Sequence, residues 1–320
     1  MNSFLPKSAM YWYNKILRKL VPRVLPAPSP KERALIDTLR AQIRALPEIL
    51  PDEGVNRAEQ FWMENRVNLR RELLSKDPRA FLNFPVICET MFLDDPPYIA
   101  HELKALRSSP AWRNRWCAAI RESVTIPAPA CPYYSKSSGN LIHQASHLWH
   151  FEQVTGLDIS RFGAILEFGG GYGSLCRLVR QLGFNGRFFI FDLPEFSALQ
   201  EFYLRANDIP ISSFASPTAG AICLSEFEQL RELNPAVPID LFLATWSLSE
   251  TPFAFRRQVL GTVRARNWLI AYQHEFESLD NAEFFADWSR ENPAYRWQNI
   301  PLSHMPGRHS YLVGTQLGNL

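Results

Sequence analysis

Residues 165 to 175 read ILEFGGGYGSL, with four glycines inside five positions directly behind an apolar run that carries Glu167. Glycine is costly inside strands and helices, so a cluster of this kind marks a sharp bend or a close approach of a ligand to the backbone. The stretch that follows, GSLCRLVRQLG, has helical spacing. Apolar strand, glycine turn and helix in that order aim the helix N–H groups and the positive end of its dipole at whatever binds there. From Gly163 onward, strand-like runs (AILEF, GRFFIFD, IDLFLATW, NWLIAYQ, SYLVGTQ) alternate with helical ones (GSLCRLVRQLG, EFSALQEFYLRAN, AFRRQVLGTVRAR). Continuous apolar strands separated by helices imply βαβ units, and therefore an α/β fold with a mostly parallel sheet covered on both faces. The third strand is the hardest to place and is assigned to AICLS. In YRWQNIPLSHMPGRHSYLVG, two strand-like pieces flank a Pro-Gly turn with no room for a crossover helix, which predicts an antiparallel pair at the C-terminus.

Four segments follow from composition. Residues 1–30 hold a basic amphipathic stretch and a linker with four prolines between residues 22 and 30. Tyr11, Trp12, Ile16, Leu17 and Leu20 lie there among Lys7, Lys15, Arg18, Lys19 and Arg23, which suits peripheral contact of residues 1–23 with an anionic membrane surface, or packing on the chain's own domain. The basic residues interrupt any signal-peptide core. Residues 31–124 have helical periodicity, with Leu35, Ile36, Leu39, Ile43 and Leu46 on one face. Residues 125–140, rich in proline and then serine, are a linker or lid in which Tyr133 and Tyr134 offer aromatic faces. Residues 141–320 form the ligand-binding domain, opened by the helix LIHQASHLWHFEQVTG with Gly156 as its C-cap. No apolar run approaches the ~18 residues of a membrane span. Five scattered cysteines without a CxxC pair indicate reduced thiols and a cytoplasmic setting. The net charge of +2 gives no argument for nucleic acid. The sequence carries no signal of oligomeric state.

The spacing Glu167-x-Gly169-x-Gly171-x-Gly173 resembles the first motif of the class I S-adenosylmethionine (SAM) dependent methyltransferases. That resemblance implies a Rossmann-like sheet with an antiparallel C-terminal strand and SAM as cofactor. It further implies that Glu167 lies near the methionine part, that Gly169, Gly171 and Gly173 let the backbone pass under the ligand, and that Asp192 and Leu193 border the nucleoside. Asp192 ends FFIFD, 25 residues after Glu167, where a carboxylate can accept two hydrogen bonds from ribose hydroxyls. Nicotinamide-binding folds use the same device at that point, and their signature is GxGxxG. FDLPE and ATWSLSETP look most like bacterial sugar O-methyltransferases, which implies a small-molecule or glycan hydroxyl as acceptor. Phenol or amine acceptors, and a scaffold without chemistry, are the alternatives.

Methyl transfer to a hydroxyl calls for an aligned acceptor and a positioned base. Glu250 after the fourth strand and His274 after the fifth fall at the C-terminal sheet edge, where open α/β folds bind ligands. His143 and His147 share a face of the helix before the glycine turn. Of these, His274, Glu250 and His147 are the candidate catalytic residues. Ser249 stands where plant O-methyltransferases, which this stretch resembles, place a basic histidine. With His150, the helix spells HxxxHxxH, a spacing that can hold zinc, but packing and capping histidines are commoner and no metal is assigned.

Overall fold

The computed structural model describes residues 25–49, 57–91, 97–277 and 279–318. The amphipathic stretch assigned to residues 1–23 lies outside them.

The alternation of apolar strands and helices builds a seven-stranded sheet. Its strands are β1 (Ala164–Phe168), β2 (Arg187–Phe191), β3 (Gly220–Leu224), β4 (Ile239–Thr245), β5 (Ala265–Gln273), β6 (Tyr295–Pro301) and β7 (His309–Gln316). Their spatial order is β3-β2-β1-β4-β5-β7-β6. The first five are parallel, and β7 pairs antiparallel with both β5 and β6. The hairpin expected at the C-terminus is therefore present, and the third strand falls one residue from AICLS. β1 is buried along its whole length, as a central strand covered on both faces must be.

Helices α1 (Pro30–Ala45), α2 (Arg57–Ser75), α3 (Pro85–Thr90) and α4 (Pro97–Ser108) come from the N-terminal region. The helix α5 (Gly139–Thr155) begins at Ser138, whose side chain accepts from Leu141 N, and ends at Gly156 with φ 70°. That left-handed C-cap is the one the glycine predicts. The sheet is then covered by α6 (Ser174–Gln181), α7 (Pro194–Ala206), α8 (Phe227–Ala236), α9 (Phe253–Thr262) and α10 (Asn281–Glu291). The sequence reading did not single out α8 or α10. Each is short and its apolar positions belong to a core shared with neighbours.

One core joins the helical region to the sheet. Ile36, Leu39 and Leu69 belong to the same buried cluster as Ile142, Phe196 and Ile190. At its edge lies Glu195, fully buried in the first turn of α7. Arg66 Nε donates to it at 2.7 Å and Arg70 Nε at 2.5 Å, both from α2. Removing one partner from such a cluster is strongly destabilising, because it leaves the remaining, largely buried charges uncompensated. Glu195→Ala is therefore expected to destabilise the fold by about 3 kcal/mol, read from urea unfolding. An unchanged midpoint would show that α2 and α7 hold together by apolar packing alone.

Candidate functional site

The strand order reverses between β1 and β4, and open α/β sheets bind ligands at the carboxyl ends of the strands beside such a switch. Here those ends bear the glycine turn and the segment Trp246–Glu250. Gly169, Gly171 and Gly173 have φ of 71°, 59° and 89°, values that a side chain would strain. The turn is also crowded. A Cβ on Gly169 would collide with the Ser247 side chain, and one on Gly171 would lie 3.0 Å from Met91 Sδ. Tyr172 is buried against Phe81 and Tyr203, with centroids 5.6 and 5.1 Å away, and so pins the turn to the helical region.

Two carboxylates flank this turn. Glu167 is 3% exposed. Its Oε2 has no hydrogen-bond partner among the described residues, and a Cβ on Gly170 would sit 3.0 Å from that oxygen. Burial and the nearby Asp192 push the Glu167 carboxyl up to about 8. Asp192 follows β2 and binds the turn from the other side. Gly171 N donates to it at 2.9 Å, Leu193 N at 2.8 Å and Gln200 Nε2 at 2.8 Å. Burial raises Asp192 to about 7 despite these donors. Leu193 is half-buried at the N-cap of α7. The six residues assigned from sequence to cofactor binding are thus brought together around one turn.

Helix α5 roofs it. Asn140 Nδ2 donates to Met91 O at 2.5 Å and Gln144 Nε2 to Ser174 Oγ at 2.8 Å, the latter at the head of α6. Trp246, the first residue past β4, has φ 66° and ψ −42°. A bulky residue held there is strained, and such strain gathers at functional sites. The conformation sets its ring 5.3 Å from the His143 ring and 5.2 Å from the His147 ring.

The three catalytic candidates separate. His147 is 1% exposed, and its Nδ1 shares a 2.6 Å hydrogen bond with Tyr311 Oη. Burial holds its pKa well below the usual value. His274 Nε2 pairs with Ser310 Oγ at 2.8 Å across β5 and β7. Glu250 takes a hydrogen bond from Gln273, and burial lifts it to about 7. Ser249 is buried, and its hydroxyl donates to Trp246 O at 2.6 Å. The buried Arg256 donates to the carbonyls of Ser249 and Thr251 and so fixes the whole segment. His143 pairs through Nδ1 with Glu102 at 2.8 Å. Among the described residues no three His, Cys, Asp or Glu side chains converge as a metal requires.

Sequence reading missed Glu102, a buried carboxylate of α4 that meets both His143 and His304. Its only sequence signal is a polar residue at a position of α4 flanked by Ile99, Leu103 and Leu106, all buried. Arg66, Arg70 and Arg256 were likewise missed, each looking like a surface arginine on a helix.

No family model matches the chain, and no curated protein does. Among solved structures, a SAM-dependent methyltransferase from Aquifex aeolicus is similar at 13% identity. It covers 53% of this chain and 88% of its own, with a TM-score of 0.37. The O-methyltransferase TomG from Streptomyces achromogenes, in complex with SAM, shares 14% identity over 55% of this chain and 79% of its own, TM-score 0.38. Magnesium protoporphyrin IX methyltransferase from Synechocystis PCC 6803, with bound SAM, shares 9% over 91% of this chain and 100% of its own, TM-score 0.39. Likenesses this distant decide neither ligand nor reaction, which rest on the site itself.

The raised pKa of Glu167 has a consequence for stability. Its carboxyl ionises near 4.5 when the chain is unfolded but near 8 when folded. The unfolded state therefore loses the proton first, and stability falls as pH rises through that window. Denaturant midpoints measured at pH 5 and pH 8 should show the decline, and Glu167→Gln should flatten it. A wild-type slope that survives the substitution would assign the effect elsewhere.

Proposed function

We propose that the chain is a SAM-dependent O-methyltransferase acting on a hydroxyl of a sugar or glycan precursor. The observation that supports the cofactor best is the pair of carboxylates at the glycine turn. Glu167 carries an unpartnered oxygen against the turn, and Asp192 lies beside it. Asp192 raises the pKa of the buried Glu167, and two acids set side by side repel anions. A dinucleotide would bring its pyrophosphate to the same turn, the worst charge for that place. A ligand bearing an ammonium, a sulfonium and ribose hydroxyls answers both groups.

The residues present fit it. Glu167 would face the cationic amino-acid part, and Gly169, Gly171 and Gly173 would let the backbone lie close beneath it. Asp192 uses three of about four acceptor positions on protein donors, which leaves it room for a ribose hydroxyl beside Leu193. When bound, this cofactor supplies a methyl group activated by positive charge on sulfur. The chain's own part is to hold the turn rigid through Asp192 and Tyr172, exclude water with α5 and Met91, and present an acceptor beside Trp246. Indole and imidazole faces suit the stacking of a sugar ring.

Titration calorimetry on the full chain should show SAM binding that Asp192→Ala weakens at least ~10-fold, about what one lost charge-assisted pair costs. NAD should bind more weakly than SAM. The reverse order, or SAM binding indifferent to Asp192→Ala, removes the cofactor reading. Incubation with methyl-labelled SAM and a panel of sugar nucleotides and lipid-linked glycans then tests the acceptor. Label on a phenol or amine but on no glycan would refute the sugar, and binding without label on any acceptor would indicate a scaffold.

A further inference from the structure

The chain has seven histidines, and all seven belong to one neighbourhood at the carboxyl edge of the sheet. His101 stacks on His304 at 5.0 Å. His304 Nε2 pairs with Glu102 Oε1 at 3.0 Å, and Glu102 pairs in turn with His143 Nδ1. The His143 and His147 rings lie 4.1 Å apart. His147 and His150 meet Tyr311, His309 faces Trp246 at 5.9 Å, and His274 pairs with Ser310. These residues come from α4, α5, the end of β5 and the β6–β7 hairpin, so the fold rather than the local sequence assembles them.

Within this group one imidazole is prepared to accept a proton beside the switch point. Glu102 is 1% exposed, and both of its oxygens approach His143 Nδ1, at 2.8 and 3.0 Å. Burial works against its ionised form. The hydrogen bonds it shares with His143 and His304 favour that form. An ionised carboxylate only accepts, so the bond requires a proton on Nδ1. In the neutral ring the lone pair is then on Nε2. A carboxylate that fixes the tautomer of a histidine and stabilises its charged form is a general arrangement for base catalysis. The ring also stands in the right place. Trp246 packs on it, and the next residue, Ser247, bonds Phe168 O and fills the space above Gly169.

The three other candidates are held differently. His147 is sealed against Tyr311, and His274 is engaged by Ser310 at the β5–β7 seam. Glu250 is engaged by Gln273, and none of the three has a carboxylate orienting it among the described residues.

We propose that His143 is the catalytic base that takes the proton from the acceptor hydroxyl, with Glu102 and His304 as positioning residues. The inference rests on the methyltransferase reading above. The acceptor O–H bond breaks and its proton passes to Nε2. The oxygen's electron pair forms the new O–CH₃ bond, while the donor's S–CH₃ bond breaks and sulfur keeps that pair. The resulting imidazolium is held by Glu102 until it releases the proton to water. An alcohol needs such a base because its oxygen is a poor nucleophile until the proton leaves.

Nitrogen-15 histidine NMR on the full chain, titrated with S-adenosylhomocysteine, tests this without knowing the acceptor. His143 signals, identified by their loss in His143→Gln, should show the Nδ1–H tautomer and should shift on titration. Glu102→Gln should redistribute the tautomers. In the kinetic arm, with any glycan labelled in the panel, His143→Gln should lower kcat by ~10²-fold, the usual worth of a general base, with KM and S-adenosylhomocysteine affinity little changed. An Nε2–H tautomer, signals unmoved by the ligand, or wild-type kcat in His143→Gln overturns the inference and leaves the cofactor reading standing. Failure of the wild-type chain to bind S-adenosylhomocysteine overturns the cofactor reading instead.

Discussion

The geometry of the site depends on the placement of two acids where neither is comfortable as an anion. Glu167 comes from the central, fully buried strand, so it cannot reach water without dismantling the sheet. Asp192 follows the neighbouring strand, and its position is set by register, with Phe168 opposite Phe191. The repulsion between them is therefore built into the pairing of β1 with β2. It is tolerated because backbone N–H groups of Gly171 and Leu193 converge on one of the two. Those same bonds give the glycine turn its shape, so the electrostatic problem and the loop that addresses it form one structure.

Much of this was legible before any coordinates. Apolar runs gave the strands, and the Pro-Gly turn with too few residues for a crossover gave the antiparallel pair. Gly156 marked its helix end because few other residues adopt a left-handed cap. The glycine turn and its acids were readable because they are contiguous, or one βα unit apart. What escaped notice depends on contacts between distant segments. Glu102 meets His143 and His304, 41 and 202 residues away in the chain. The one local mark it carries is its place among the apolar Ile99, Leu103 and Leu106 of its own helix, which does not reveal its partners. Nor do Arg66 and Arg70 reveal theirs, since Glu195 lies more than a hundred residues on.

Trp246 is a case of a different kind. The sequence marks it only as the last residue of the apolar run IDLFLATW, whereas the strand ends one residue earlier at Thr245. Its positive φ depends on backbone anchoring, with its N–H donating to Ala271 O at 2.8 Å and its carbonyl accepting from Ser249. Arg256 completes this by holding the Ser249 and Thr251 carbonyls, with no carboxylate partner among the described residues. A guanidinium serving carbonyls in place of an acid explains why burial depresses it to about 10. Local propensity carries no trace of such an arrangement, because the strain and its support lie on different elements.

Glu195, three residues past Asp192 on the same turn of chain, ties the first turn of α7 to α2 through two guanidiniums. The backbone around Asp192 therefore cannot move independently of the helical region. To the extent that a ligand at Asp192 favours the docked α2, freeing α2 weakens that ligand by the same coupling free energy. The N-terminal helices thus act less as an attached cap than as a thermodynamic component of the pocket. Their order, followed by hydrogen exchange along α2, would report occupancy of a turn with which they share no residue.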